Sequence, residues 1–134
     1  MSNPVIRNTA LVARERALAV AIPVVIDGSL LTSGMISGDG YLLRGTILVK
    51  QGSGKYKPFV HGTDTLAADG VVILVDDLKA STGGPDLVTN SGYYEGFFLL
   101  ATLLDANSAG GLVSGDLTSA AGFHSVSANE LRLK

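Results

Sequence analysis

The chain has 134 residues, 16% of them charged and 46% hydrophobic, with a formal net charge of -2 and no cysteine. That length suits one domain able to bury roughly two thirds of its unfolded surface, and the lack of cysteine excludes a disulfide framework and a thiolate metal site. Basic residues are scattered and form no stripe that would follow a phosphate backbone, while 17 glycines and so little charge point to self-association.

From Val12 to Ile22 the residues alternate. Val12, Arg14, Arg16, Leu18, Val20 and Ile22 share one face of an extended segment, and the intervening positions are Ala or Glu. A helix over Asn8–Ile22, capped by Asn8 or Thr9 and stopped by Pro23, competes with this reading. The extended form is favoured because the apolar run Ala17–Ile26 continues through Pro23 into Val24-Val25-Ile26. With Arg14 and Arg16 ahead of it this run resembles a signal peptide, but Asp27-Gly28-Ser29 stands where a small-residue cleavage site belongs. It is also too short to span a bilayer. A buried or partner-covered strand is therefore expected, dividing the chain into an N-terminal arm or edge strand (1–26) and a β-rich domain (27–134).

Ser37-Gly38-Asp39-Gly40 is a turn cluster. Two β-type runs, Leu42–Lys50 and Lys55–Val60, then flank Gly52-Ser53-Gly54 and predict a hairpin, with Pro58 suited to an edge strand or a bulge. Val71–Val75, bounded by Asp69-Gly70 and Asp76-Asp77, predicts a central strand buried on both faces. Ser81–Asp86 is a loop by composition, Leu87-Val88-Thr89 a strand, and Asn90-Ser91-Gly92 a turn. The richest aromatic content lies in Tyr93–Leu104, where Leu99–Leu104 either prolongs a strand or closes as a short helix. Ala106–Gly115 reads as a flexible crossover, Leu117–Ala121 as a helical turn ended by Gly122, and Phe123–Val126 and Leu131–Leu133 as closing strands. The expected fold is mainly β: a small single-domain sandwich or barrel with an extended N-terminal arm and at most one or two short helices.

Chemical motifs are sparse. Gly52-Ser53-Gly54-Lys55 invites a phosphate-loop reading, but that motif needs Gly where Val49 stands and Ser or Thr where Tyr56 stands. The two histidines, His61 and His124, have no His or Glu at metal spacing, and Asp64, Asp69, Asp76 and Asp77 lack the alternation of an oxygen-rich cation loop, so they read as solvated turn residues. No Gly-x-Ser-x-Gly elbow occurs. Catalytic residues, metal and cofactor are accordingly not expected. The competing class is a small β-barrel enzyme or ligand-binding domain using His61, His124 and the nearby aspartates. Tyr93, Tyr94, Phe97 and Phe98 fit either the core or a subunit interface.

Taken in order, Leu42-Leu43-Arg44-Gly45-Thr46-Ile47-Leu48, Gly54-Lys55-Tyr56-Lys57-Pro58, Gly70-Val71-Val72-Ile73-Leu74 and Tyr94-Glu95-Gly96-Phe97-Phe98 resemble the head decoration proteins of lambda-like tailed phages, over about Tyr41 to Val126. The resemblance implies a small β-rich domain that trimerises on the outside of an expanded icosahedral head. There it cements neighbouring subunits at three-fold positions against internal DNA pressure. The implied partners are the major capsid protein and the chain itself, as a homotrimer, with no direct nucleic-acid or membrane contact. The implied location is the outer surface of the head, after assembly in the host cytoplasm. No catalytic residues come with this family. The long apolar N-terminal run and the Ser125–Lys134 tail depart from its pattern. On this reading Val12, Arg14, Arg16, Leu18, Val20 and Ile22 are expected to bind the capsid by adding a strand, and Tyr93, Tyr94, Phe97 and Phe98 to contribute to the trimer interface.

Overall fold

The computed structural model describes residues 20–60, 64, 70–99, 123–127 and 130–133. Nine strands lie among them: β1 (Val20–Ile26), β2 (Tyr41–Leu42), β3 (Ile47–Lys50), β4 (Tyr56–Pro58), β5 (Val71–Leu74), β6 (Leu78–Lys79), β7 (Leu87–Leu99), β8 (Phe123–Ser127) and β9 (Glu130–Leu133). As expected, the fold is mainly β. Five strands follow one another as β1-β4-β3-β5-β7, and β7 returns to β1, closing a barrel. Only the β1–β4 contact within it is parallel. The last residues of β7 leave the barrel and pair with β9, which pairs with β8.

Register explains how the barrel fills. Leu48 lies opposite Val72, Leu74 opposite Gly92, and Ile26 opposite Leu87. Directly opposed residues share a face, so Val24, Ile26, Leu48, Tyr56, Val72 and Leu74 meet in one core, against which Ile22, Leu87 and Tyr94 pack. Gly92 matters for closure. A Cβ there would stand 3.0 Å from Val24 Cγ1, so the missing side chain lets β1 approach β7. Pro23 occupies a register shift between Ile22 and Val24, where a residue without an amide donor does least damage to the ladder. The opposite faces of β3 and β5 are also buried, at Ile47, Val49, Val71 and Ile73. The expectation of a central strand buried on both faces therefore holds for β5, which sits between β3 and β7.

The β3–β4 hairpin turns at Gly52–Gly54 as predicted, with the Gln51 N–H donating to the Lys55 carbonyl and the Gly54 N–H to the Gln51 carbonyl, both at 2.9 Å. The run Leu42–Lys50 is not one strand. Gly45 adopts φ 92°, and the Thr46 N–H and hydroxyl both donate to the Leu43 carbonyl, so the chain turns before β3 begins. Its first part becomes β2, which pairs with β6 in a separate two-stranded ribbon. Two 3-10 turns, Gly28–Leu30 and Ser33–Met35, link β1 to this ribbon, and Leu31, Met35, Ile36, Leu42, Leu78 and Ala80 join the core.

Several expectations need correction. Asn90-Ser91-Gly92 is not a turn but the middle of the 13-residue strand β7, because Gly92 is needed at the crowded closure of the barrel. The chain does not divide at residue 26 into an arm or edge strand and a domain. β1 pairs on both sides, and Val24 and Ile26 belong to the core. Residues 1–19, the remainder of the expected arm, lie outside the described residues, as do the readings for Leu100–Leu104, Ala106–Gly115 and Leu117–Ala121.

Candidate functional site

Among the described residues, a dense set of polar contacts gathers where β1 ends. Asp27 continues extended (φ -70°, ψ 104°), and its Oδ1 accepts from the Ser29 N–H (3.1 Å) and Ser29 hydroxyl (2.6 Å), an arrangement that starts the Gly28–Leu30 turn. Gly28 is pressed against the Gly84 and Pro85 carbonyls so closely that no Cβ fits. The contact brings its N–H to Asp86 Oδ1 at 3.0 Å, while Asp86 Oδ2 takes Lys55 Nζ at 2.8 Å. The hydrogen bond from Lys55, then that from Gly28, holds the Asp86 carboxyl below its ordinary value, and the same bond with Asp86 raises Lys55. Two backbone bonds run alongside: the Gly83 N–H to the Leu31 carbonyl and the Asp27 N–H to the Tyr56 carbonyl, both at 2.9 Å. Three segments distant in sequence, the β3–β4 tip, the turn after β1 and the loop before β7, are thereby clamped together.

Two further carboxylates act in the same way. Lys57 Nζ lies 2.8 Å from each oxygen of Asp64, and Asp64 Oδ2 also accepts from the Val60 N–H at 2.8 Å. Both side chains are largely shielded, so this pair is screened less than the exposed Lys55–Asp86 pair. Asp77 Oδ1 accepts from the Arg44 N–H at 2.7 Å and fixes the turn before β3. Asp64 and Asp77 are thus not the merely solvated turn residues expected from sequence. Asp76 is exposed, and Asp69 is outside the described residues. A carboxylate bonded in this way to its own chain's amides or ammonium groups holds a turn in place.

On the outer wall of the barrel, Val25 of β1 lies directly opposite Val88 of β7. Val25 is 36% and Val88 72% exposed; with Leu30 they are the exposed large hydrophobic residues among those described. Ala21 and Pro23, at alternate positions of the same strand, are exposed as well.

Only some of the residues singled out from sequence lie among the described residues. Val12, Arg14, Arg16, Leu18 and His61 lie outside the described residues. Val20 stands opposite Glu95 in the β1–β7 ladder, and Ile22 packs against the core, so Ile22 is not offered to a capsid subunit. Tyr93 is only 4% exposed, opposite Ile73, and Tyr94 packs on the core cluster. These two are therefore removed from the expected trimer interface, because strand pairing turns them into their own chain. Where β7 pairs with β9, Phe97 stands opposite Arg132 and Phe98 opposite Leu131, while His124 of β8 is also opposite Arg132. What sequence reasoning missed was the Gly28–Lys55–Asp86 clamp. Gly28 and Asp86 are 58 residues apart, and the only local sign was the polar residue closing a Gly-Gly-Pro loop. No family model matches the chain, and no curated protein or solved structure matches it.

Proposed function

We propose that this chain is a structural decoration protein of a tailed-phage head, binding the outer surface of the expanded capsid as trimers at three-fold positions and stabilising it against internal DNA pressure. The observation that carries the reading is how the four stretches resembling that family are used. They contribute β3, β4, β5 and β7, which are adjacent in the barrel in the order β4-β3-β5-β7. Pieces matched only by order along the chain thus contribute to one continuous wall. A further support is that Asp64, Asp77 and Asp86 serve turns and loops, as suits a rigid module repeated by symmetry.

In this proposal the major capsid protein is the partner, and the contact lies in the chain ahead of β1, through Val12, Arg14, Arg16 and Leu18. An extended segment supplies main-chain hydrogen bonds to an exposed sheet edge, and many equivalent weak contacts give avidity without a deep pocket. Assembly takes place in the host cytoplasm and the product resides on the virion.

Incubating the purified chain with expanded and unexpanded capsids, then imaging by cryo-electron microscopy, tests the proposal. Density at the three-fold positions of expanded heads, with increased resistance to heat or chelation, is expected. Failure to bind expanded heads of any tailed phage carried by the source of this chain would refute it.

A further inference from the structure

We propose that copies of this chain meet through the outer face of β1 and the first half of β7, centred on Val25 and Val88. This rests on the self-association in the preceding reading and moves the contact away from Tyr93 and Tyr94, which are turned into their own chain. Scattered exposed valines are ordinary, but these two are directly opposite in one ladder, with Ala21 and Pro23 exposed on the same strand. The outward positions Ala21, Pro23, Val25, Val88 and Asn90 carry no charge.

The rim of this face indicates the occupant. One step beyond the Val25–Val88 pair, the same alternation brings Asp27 and Asp86, and Lys55 is 2.8 Å from Asp86. An uncharged centre with both signs of charge at one end is self-complementary. Lys55 stays paired with Asp86 inside its own chain, so in a symmetric assembly this end presents no strong net charge and no like-charged faces are forced together. A strongly basic or acidic partner would leave one of those signs opposed. Two valines are also too little apolar surface to hold a membrane, and the carboxylates repel anionic headgroups. The fitting occupant is a second copy of this chain, and at a three-fold axis the highly exposed Val88 side chains of three copies cluster.

The test compares wild type, Val88→Glu and two single-cysteine variants of the full chain, which has no native cysteine. In sedimentation equilibrium Val88→Glu is expected to weaken association at least about tenfold, with an unchanged urea midpoint at a protein concentration low enough for both chains to be monomeric, because the side chain is exposed. Under mild oxidation Val88→Cys is expected to form covalent pairs faster than Thr82→Cys, placed in an exposed loop. If wild type associates and a folded Val88→Glu associates equally well, or if Val88→Cys cross-links no faster than Thr82→Cys, this face is overturned while self-association stands. A wild type that remains monomeric both free and on capsids overturns self-association itself, and this face with it.

Discussion

Replacing Gly28 by alanine isolates the clamp at the barrel end. A Cβ built there overlaps the Pro85 carbonyl carbon and oxygen and the Gly84 oxygen, all backbone atoms that cannot swing aside like the end of a flexible side chain. Either the loop before β7 or the turn after β1 must shift, which also strains the Gly28 N–H to Asp86 and Gly83 N–H to Leu31 bonds. Overpacking of this kind costs about 1–3 kcal/mol. At about 3–4 °C per kcal/mol for a domain of this size, the melting temperature falls by about 3–12 °C. Gly52→Ala is the control, since nothing lies within 4 Å of a Cβ at that hairpin position, and a change within about 0.5 kcal/mol is expected. Urea unfolding followed by far-UV circular dichroism measures both, with the midpoint moving for Gly28→Ala at constant m. If the two variants unfold within about 0.5 kcal/mol of each other, the loop is not packed on Gly28 as described and the reasoning fails.

Leu74→Ala empties a fully buried position of β5 and should cost about 2–5 kcal/mol in the same assay; a loss below about 1 kcal/mol would mean the barrel interior is not close-packed there. Asp86 has its carboxyl depressed in the folded chain, so the unfolded chain takes up the proton first as pH falls. Its stabilising contribution is complete well above about pH 4, the unfolded value, and is lost as pH drops through the lower folded value, so the gap in urea midpoint between wild type and Asp86→Asn should be widest near about pH 6 and shrink as pH falls below about 4. A gap that stays constant over that range argues against the ion pair and the Gly28 bond as its source. Deleting the residues before Arg16 should lower capsid affinity while leaving cooperative unfolding, whereas deletion through Ile26 removes β1 and should abolish folding; equal capsid binding by the shorter deletion defeats the assignment of the contact to that segment.

The parts of the fold legible in the sequence are those where local pattern and burial agree. Val71-Val72-Ile73-Leu74 is β-branched or apolar at every position and is buried at every position, and the Gly52–Gly54 spacer sits between two runs that do pair. Legibility ended where one residue type serves two purposes. Asn90-Ser91-Gly92 has turn composition, but Gly92 is spent on close packing against Val24 inside a continuous strand. Arg44-Gly45-Thr46 looks like strand until Gly45 takes a positive φ. The clamp was hidden for a different reason. Lys55 and Asp86 are ordinary surface residues in their own neighbourhoods, and only closure of the barrel brings them to 2.8 Å. In the same way, the pattern around Tyr93 and Tyr94 signalled burial or contact without deciding which chain they would be buried in.

The barrel is unevenly tied, and that bears on how it would carry load. β1 is laddered to β7 along its length but meets β4 through the single pair Ile26–Tyr56. Just beyond that pair, the Asp27 N–H bonds the Tyr56 carbonyl, and Lys55, Asp86 and Gly28 link the β3–β4 tip to the turn after β1. The clamp thus supplies, at the end of the β1–β4 seam, attachments that the short strand β4 does not provide. If the capsid contact lies ahead of β1, as proposed, tension enters at Val20 and runs along the strand. The antiparallel β1–β7 hydrogen bonds lie across that direction, so they are loaded together in shear instead of being opened one at a time. The seam with β4 is then spared, and its clamp has only to keep the barrel closed. On the proposed reading, a protein bound to an expanded shell is served by that division: a ladder that bears the pull, and a clamp at the other seam that does not carry it.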